Sequence, residues 1–237
     1  MCDKSYIMND VMGEAIRDYF LKRSRGKLWI HNKYGEKEEM PIGTYFRDVQ
    51  RMPELEQIAL RECKGKILDV GAGAGSHALE LQANGKDVTA IEFSEKASEV
   101  MRLRGVQKVV HQDIFTYHNG GYDTLLLLMN GIGLTGNIAG LTRFLQLAKN
   151  WLTESGQLIF DSSDVAYLYE DGLSFPPYYY GEINYCYEYK KQKTEWFSWL
   201  YVDRKTLTKI AAKEGWQTEI LYMDEFDQYL ARLRQTL

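Results

Sequence analysis

The chain lacks the residues from which disulfide scaffolds, zinc sites and membrane spans are built. Its 237 residues hold only three cysteines, Cys2, Cys63 and Cys186, with no short spacing between any two. Neither a zinc knuckle nor a redox CxxC can be made from them. An odd, sparse set suits reduced thiols in a cytosol. The four histidines, His31, His77, His111 and His118, fall in no metal-ligand spacing, so no metal site is expected. The longest apolar run, Leu125 to Met129, is far too short to span a bilayer. Nor is there an excess of positive charge: 29 Lys and Arg against 33 Asp and Glu give a formal net charge of -4, which argues against a nucleic-acid partner. The local group Lys22, Arg23, Arg25 and Lys27 reads as a solvated helix end. Met1-Cys2-Asp3-Lys4-Ser5 lacks the basic-then-apolar layout of a secretion signal. No internal repeat, low-complexity tract or domain linker is visible. The expectation is a cytoplasmic protein of one α/β domain, long enough to bury a full core.

What is present is organised around Ile67-Leu68-Asp69-Val70-Gly71-Ala72-Gly73-Ala74-Gly75. An apolar run carrying one acid ends in three glycines at alternate positions, and Ala78, Leu79 and Leu81 follow as the stripe of a helix that Gly85 stops. A strand–glycine turn–helix unit presents unpaired backbone N–H groups with no side chains in the way. The spacing is GxGxG followed by Ser76, not the GxGxxG of a dinucleotide turn. It suits a nucleoside with a short charged tail, without a pyrophosphate. Asp69 can orient the turn or meet an ammonium group.

From there the chain alternates strands and helices. Val88 to Glu92 reads as a strand, and Ser94 can cap a helix that Gly105 stops. Val106 to Asp113 is a third strand and Tyr122 to Met129 a fourth, almost wholly apolar as for a strand covered on both faces. The glycine-rich loop Asn130 to Gly136 leads to a helix over Gly140 to Leu152, and Gln157 to Asp161 is a fifth strand. This rhythm predicts a doubly wound, mostly parallel sheet. Before it, Asn9 to Lys22 and Pro53 to Cys63 read as amphipathic helices, the second burying Leu55, Ile58 and Ala59, with residues 27–45 irregular between them. After it, residues 164–177 are loop-like. Ile183 to Lys190 and Thr194 to Val202 then form an antiparallel aromatic hairpin beside the main sheet. Asp203 caps a last helix, and Thr218 to Met223 and Gln228 to Leu233 close the chain as strands. The organisation expected is one domain, 1–237: an N-terminal helical cap (1–64), a binding core (65–163), an inserted loop and hairpin (164–202), and a C-terminal helix with two strands (203–237).

Three strand ends converge. Glu92 can accept both hydroxyls of a ribose. Asp113 can accept from an exocyclic amine while the next backbone N–H donates to the ring, or it can simply cap a turn. With the run Ile67 to Gly75, the loop at Asn130 and the turn at Gly156, these positions resemble the successive motifs of the Rossmann-like S-adenosylmethionine-dependent methyltransferases, over about Phe46 to Asp164 and more loosely through Glu214-Gly215-Trp216. The resemblance implies a seven-stranded sheet with one antiparallel strand, the C-terminal pair being the sixth and seventh. It also implies S-adenosyl-L-methionine as cofactor. Asp69, Gly71, Ala72, Gly73 and Gly75 would then border the methionine tail, with His77 nearby. Glu92 would lie at the ribose, Asp113 and Ile114 at adenine, and Asn130 and Gly131 beside the sulfonium, with Phe93 also among the cofactor-binding residues.

A sulfonium methyl is already electrophilic, so alignment in a dry pocket is the main task, and no catalytic triad is expected or seen. Asn130-Gly131-Ile132-Gly133 stands where amide and adenine methylases carry an Asn/Asp-Pro-Pro-Tyr segment. No cysteine follows a proline, as cytosine C5 methylation would need, and the loop lacks the acids of a catechol-type magnesium site. A small-molecule acceptor remains. Candidates for its pocket are Tyr45, Phe46, Arg47, Asp161, Asp164 and Tyr178 to Tyr180, with Arg47 able to meet a carboxylate of cofactor or substrate and Asp164 able to act as base. The aromatic hairpin is either a lid or a homodimer surface. Two other readings stay open: a non-catalytic cofactor-binding module, and an NAD-type oxidoreductase, against which the glycine spacing argues.

Overall fold

A computed structural model describes residues 10–23, 26–169 and 173–236; Met1 to Asn9, with Cys2 among them, and Arg25 lie outside the described residues. In chain order, helix α1 (Val11–Phe20) is followed by strands β1 (Leu28–His31) and β2 (Glu38–Met40) and helix α2 (Glu54–Glu62). Next come β3 (Lys66–Val70), α3 (Ser76–Ala83), β4 (Asp87–Glu92), α4 (Glu95–Arg104), β5 (Val109–His111), β6 (Tyr122–Leu127), α5 (Ile138–Trp151) and β7 (Leu152–Ser163). The rest is β8 (Glu182–Tyr189), β9 (Gln192–Lys193), β10 (Phe197–Leu200), α6 (Arg204–Lys213), β11 (Trp216–Met223) and β12 (Gln228–Gln235).

Seven strands form one sheet in the order β11-β12-β7-β6-β3-β4-β5. Pairing is parallel from β7 to β5, and β12 runs antiparallel to both β7 and β11. The sheet is therefore the doubly wound one with a single antiparallel strand that the resemblance implies. Its centre is apolar on both faces: Leu125, Leu126 and Leu127 of β6 are all fully buried. Leu125 and Leu127 pack with Leu141, Phe144 and Leu145 of α5, and Leu126 packs with Ala59 and Leu81 on the opposite face. The strand order reverses between β3 and β6, so the ends of β3, β4 and β6 open on one crevice.

A second, five-stranded sheet stands over that crevice in the order β10-β8-β1-β2, with β9 paired to β8. One expectation is extended here and another corrected. The aromatic hairpin is antiparallel and outside the main sheet, but it does not stand alone; β8 pairs with β10 on one side and with β1 on the other, matching His31 to Cys186. Residues 27–45 are not irregular, because β1 and β2 pair there, and Ile42–Phe46 forms a 3-10 turn. The N-terminal segment is thus helical only in part. Strands of four and three residues separated by Gly35 carry little periodic signal, and their stability comes from a partner about 150 positions away.

The two halves are also joined at Asp10. Its carboxylate accepts from Gly13 N at 2.9 Å, capping α1, and from Ser94 Oγ at 2.8 Å, while Ser94 caps α4 by accepting from Ala97 N. One acid therefore orders two helix starts. Asp10→Ala is expected to lower stability by about 2 kcal/mol, the loss of one cap and the loosening of another. Urea unfolding would measure it, and an unchanged midpoint would show that the caps are redundant.

Candidate active site

At the end of β3 the backbone takes positive φ at Gly71, Gly73 and Gly75 (70°, 55° and 81°). Only glycine accepts this run cheaply. A Cβ on Gly75 would lie 2.9 Å from Met101 and Val106, so this glycine lets the turn settle on α4. A Cβ on Gly71 would meet only Leu134, at 3.9 Å, which leaves open space beside the chain there. The turn is tied to β4 three times. Gly71 N and Ala72 N donate to Ile91 O, and Gly73 N donates to Glu92 Oε2 at 2.8 Å. The other oxygen, Glu92 Oε1, accepts from Ser94 N. Burial pushes the Glu92 carboxyl above its ordinary range, against the pull of these amides.

Beneath the turn lies a chain of alternating charge. Arg47 pairs with Glu56, Glu56 Oε2 lies 2.9 Å from His77 Nε2, and His77 faces the field of Asp69. Glu56, His77 and Asp69 are all buried. His77 is therefore a buried support of the turn, paired with Glu56. Glu56 escaped the sequence reading because an acid between Leu55 and Ala59 looks like a solvent position; it is buried because Arg47 and His77 meet it. Burial raises Asp69 to about 6, and its Oδ2 has no partner among the described residues.

The third wall is the loop after β6. Met129 and Asn130 both take left-handed backbone, φ 61° and 54°. Asn130 N donates to both oxygens of Asp161 at 2.9 Å, and Asn130 Nδ2 donates to Leu200 O at 3.1 Å. Asn130 Oδ1 is buried without a partner. The second sheet turns an aromatic face toward this side. Tyr185 and Tyr187 of β8 share that face with Phe197 and Trp199 of β10, and Trp199 sits directly on Gly133. Tyr45 touches the glycine turn near Gly73 and lies in the field of Glu92 and Tyr201.

Asp113 caps its own turn, Oδ1 accepting from Phe115 N at 2.9 Å, with Ile114 buried beside it. Phe93 leaves its ring 58% exposed at the end of β4. Several acceptor-pocket candidates are occupied elsewhere. Phe46 stacks with Tyr19 and Phe20. Asp164 accepts from Tyr180 Oη and Ala166 N, and Tyr179 donates to Asp203. Arg47 is spent partly on Glu56. A cavity of about 260 Å³ is lined instead by Asn32, Tyr34, Glu38, Tyr167, Tyr185 and Tyr201, among others. Glu38 was missed with the strand that carries it, and Tyr34 with the connection between β1 and β2. The alternation of Tyr185 and Tyr187 did signal one face, without saying what it covers.

The profile of a family described as a methyltransferase domain matches residues 37–219. A solved S-adenosylmethionine-dependent methyltransferase from Bacteroides fragilis, in complex with S-adenosyl-L-homocysteine, is 39% identical; the match covers 96% of this chain and 95% of that one, with a TM-score of 0.89. The chain belongs to the S-adenosylmethionine-dependent methyltransferases. The CcbJ methyltransferase from Streptomyces caelestis (13% identity, 78% and 91% covered, TM-score 0.62) and DesVI from Streptomyces venezuelae (15%, 77% and 91%, 0.55) share the fold. No curated protein matches. The methyltransferase cofactor is S-adenosylmethionine, and the residues fit it: space beside Gly71, a carboxylate held at the turn by Gly73, and unpaired buried oxygens on Asp69 and Asn130.

The support under the turn should report itself in pH dependence. Desolvation pulls His77 down, but Glu56 and Asp69 together hold it above its ordinary 6.5. A raised imidazole contributes stability that is complete below the unfolded value and is lost as pH rises through the folded one. His77→Gln is therefore expected to cost about 1–3 kcal/mol at pH 6. The gap to wild type should shrink by pH 9, read by urea unfolding at both; a gap independent of pH would mean that His77 acts only by packing.

Proposed function

We propose that this methyltransferase acts on a small molecule by in-line transfer, with the donor lying between the glycine turn and the aromatic face of the second sheet. The observation that carries the reading is the bond from Gly73 N to Glu92 Oε2, which makes two separate strand ends into one cradle. In this reading Glu92 uses its remaining lone pairs on the ribose hydroxyls. Asp69 and the turn from Gly71 to Gly75, with Ala72, take the methionine tail, and Arg47 offers its N–H groups not used by Glu56 to the tail carboxylate. Phe93 covers one face of the adenine, while Asp113 and the Ile114 N–H border its edge. Asn130 and Gly131 stand beside the sulfonium, with Asn130 Oδ1 directed at the reacting end. When bound, the cofactor supplies an electrophilic methyl group, so the protein's work is to align the acceptor and keep water out.

The rings of the hairpin are used inside the molecule, on Gly133, on Tyr45 and on one another, which supports a roof over the site more than a homodimer surface. The net charge of -4 gives no footprint for nucleic acid. No helix among the described residues is long and apolar enough to cross a membrane. Buried, unpaired Cys63 and Cys186 suit the reducing cytoplasm. We read the chain as one functional unit, its N-terminal and inserted segments acting on the site of its core.

Calorimetric titration tests the donor site. S-adenosylmethionine and S-adenosylhomocysteine should bind, and NADH should give no heat of binding. Glu92→Ala should weaken both by about 1–3 kcal/mol through lost hydrogen bonds. Equal affinity in the variant would remove Glu92 from the ribose site.

A further inference from the structure

The cavity under the second sheet has an unusual lining. Four tyrosines, Tyr34, Tyr167, Tyr185 and Tyr201, surround it together with one carboxylate, Glu38, and no lysine, arginine or histidine is among its lining residues. Apolar contacts come from Ile183, Val165 and Leu168. Three of the four hydroxyls already have partners: Tyr185 Oη donates to Tyr201 Oη at 3.2 Å, and Tyr34 Oη lies 2.7 Å from the Oη of Tyr169, outside the lining. This arrangement leaves the ring faces for a ligand. Burial pushes Tyr34 up to about 12 and raises Tyr185 and Tyr201, so the rings stay neutral hydroxyphenyls at physiological pH.

The field is negative on the Tyr201 side, where Asp161 and Glu38 act, while Lys33 acts on Tyr34 at the other side. Glu38, on edge strand β2, forms no ion pair among the described residues, although Lys27 pairs with Glu39 and Lys37 with Glu188 close by. The same rings and their neighbours already attract cations. Lys33, outside the cavity lining, stands 5.4 Å from the Tyr34 ring and donates to Tyr178 Oη, and Lys37 stands 4.7 Å from Trp29. Neutral aromatic faces with one free carboxylate at the rim attract a weakly hydrated organic cation, through the ring quadrupoles and one Coulomb contact. They would repel a phosphate or a carboxylate. At about 260 Å³ the space suits an alkylammonium group better than a whole large metabolite.

We propose that the methyl acceptor carries a cationic alkylammonium group and that Tyr34, Tyr167, Tyr185, Tyr201 and Glu38 form the cage that holds it. The cage lies alongside the donor site, since Tyr201 directly follows Leu200, whose carbonyl accepts from Asn130. A molecule anchored here by its ammonium group extends past Tyr201 toward Asn130. The inference rests on the donor-site reading above for the direction in which the acceptor points, but not for the cation site itself.

The test uses choline and its uncharged carbon isostere, 3,3-dimethylbutan-1-ol, on the protein saturated with S-adenosylhomocysteine. Binding is followed by tyrosine and tryptophan fluorescence and by calorimetry. Choline should bind at least tenfold more tightly than the isostere. Glu38→Gln, at an exposed rim position that endangers no core contact, should weaken choline about fivefold and leave the isostere unchanged. Tyr185→Leu should abolish the preference. A choline preference below twofold, or a Glu38→Gln protein that retains the full preference, overturns the cage. If choline fails while S-adenosylhomocysteine still binds, only the cage falls. If S-adenosylhomocysteine fails to bind while choline discrimination persists, the cage stands and the donor-site assignment falls.

Discussion

The buried carboxylate of Asp161 holds the rest of the site in place. It sits at the end of β7, wholly inside the protein, and gives both oxygens to one backbone N–H, that of Asn130. Two consecutive non-glycine residues in left-handed backbone, Met129 and Asn130, cost roughly 1–2 kcal/mol each. The charge-assisted bond to Asp161 is what offsets that cost. The turn so held sends Asn130 Nδ2 to Leu200, and thereby fixes β10 and the second sheet above the crevice. Burial leaves Asp161 at about 6, showing how far this arrangement has taken a carboxylate out of water. Gln228 of β12 lends it a further, longer bond from the antiparallel strand.

Position by position, the elements that border the crevice of the main sheet are far more legible in the sequence than those of the second sheet. Asp69, the three glycines, Glu92 and Asn130 stand where local constraints act: a positive φ or the end of a strand. Such constraints limit the residue type at one position, so the spacing of types is readable without knowing what lies opposite. The main sheet was legible for a similar reason, since parallel strands covered on both faces are continuous apolar runs separated by helices of regular length. The single antiparallel strand was an implication of the family resemblance and could not be read from the order of elements alone.

The roof is legible only in part, because its strands are defined by each other. β1 and β2 have four and three residues, and β2 carries Glu38 and Glu39 along the edge, just after Lys37. Nothing within that window separates them from a charged loop until β8 supplies the other half of the hydrogen bonds. The error propagated: with β2 read as a loop, Glu38 had no face, and Tyr34 no neighbour. Glu56 shows the same limit in a helix. Its burial depends on Arg47, nine positions earlier, and on His77, twenty-one later, so periodicity alone places it in solvent.

The construction of the roof bears on how the enzyme works. Its strands come from two segments on either side of the cofactor core, and it is anchored to that core by Leu200 to Asn130, by Val202 N to Ser162 Oγ at 3.0 Å, and by Tyr229 Oη to Val202 O. Each anchor is buried, where a lost partner leaves a polar group unsatisfied and the penalty is about 1–3 kcal/mol. A roof with three such ties does not open as one flap. Access is then more economical at its free edge, where β2, Gly35 and the mouth of the tyrosine-lined cavity meet, than between the roof and the sheet below. Under the proposed cage, an acceptor that enters there would pass Glu38 and the tyrosines before it reaches Asn130, so selection by the roof would precede alignment with the methyl group. Specificity could then change by substitution along β1, β2 and β8 without altering the glycine turn and its carboxylates, which the proposal gives to the donor.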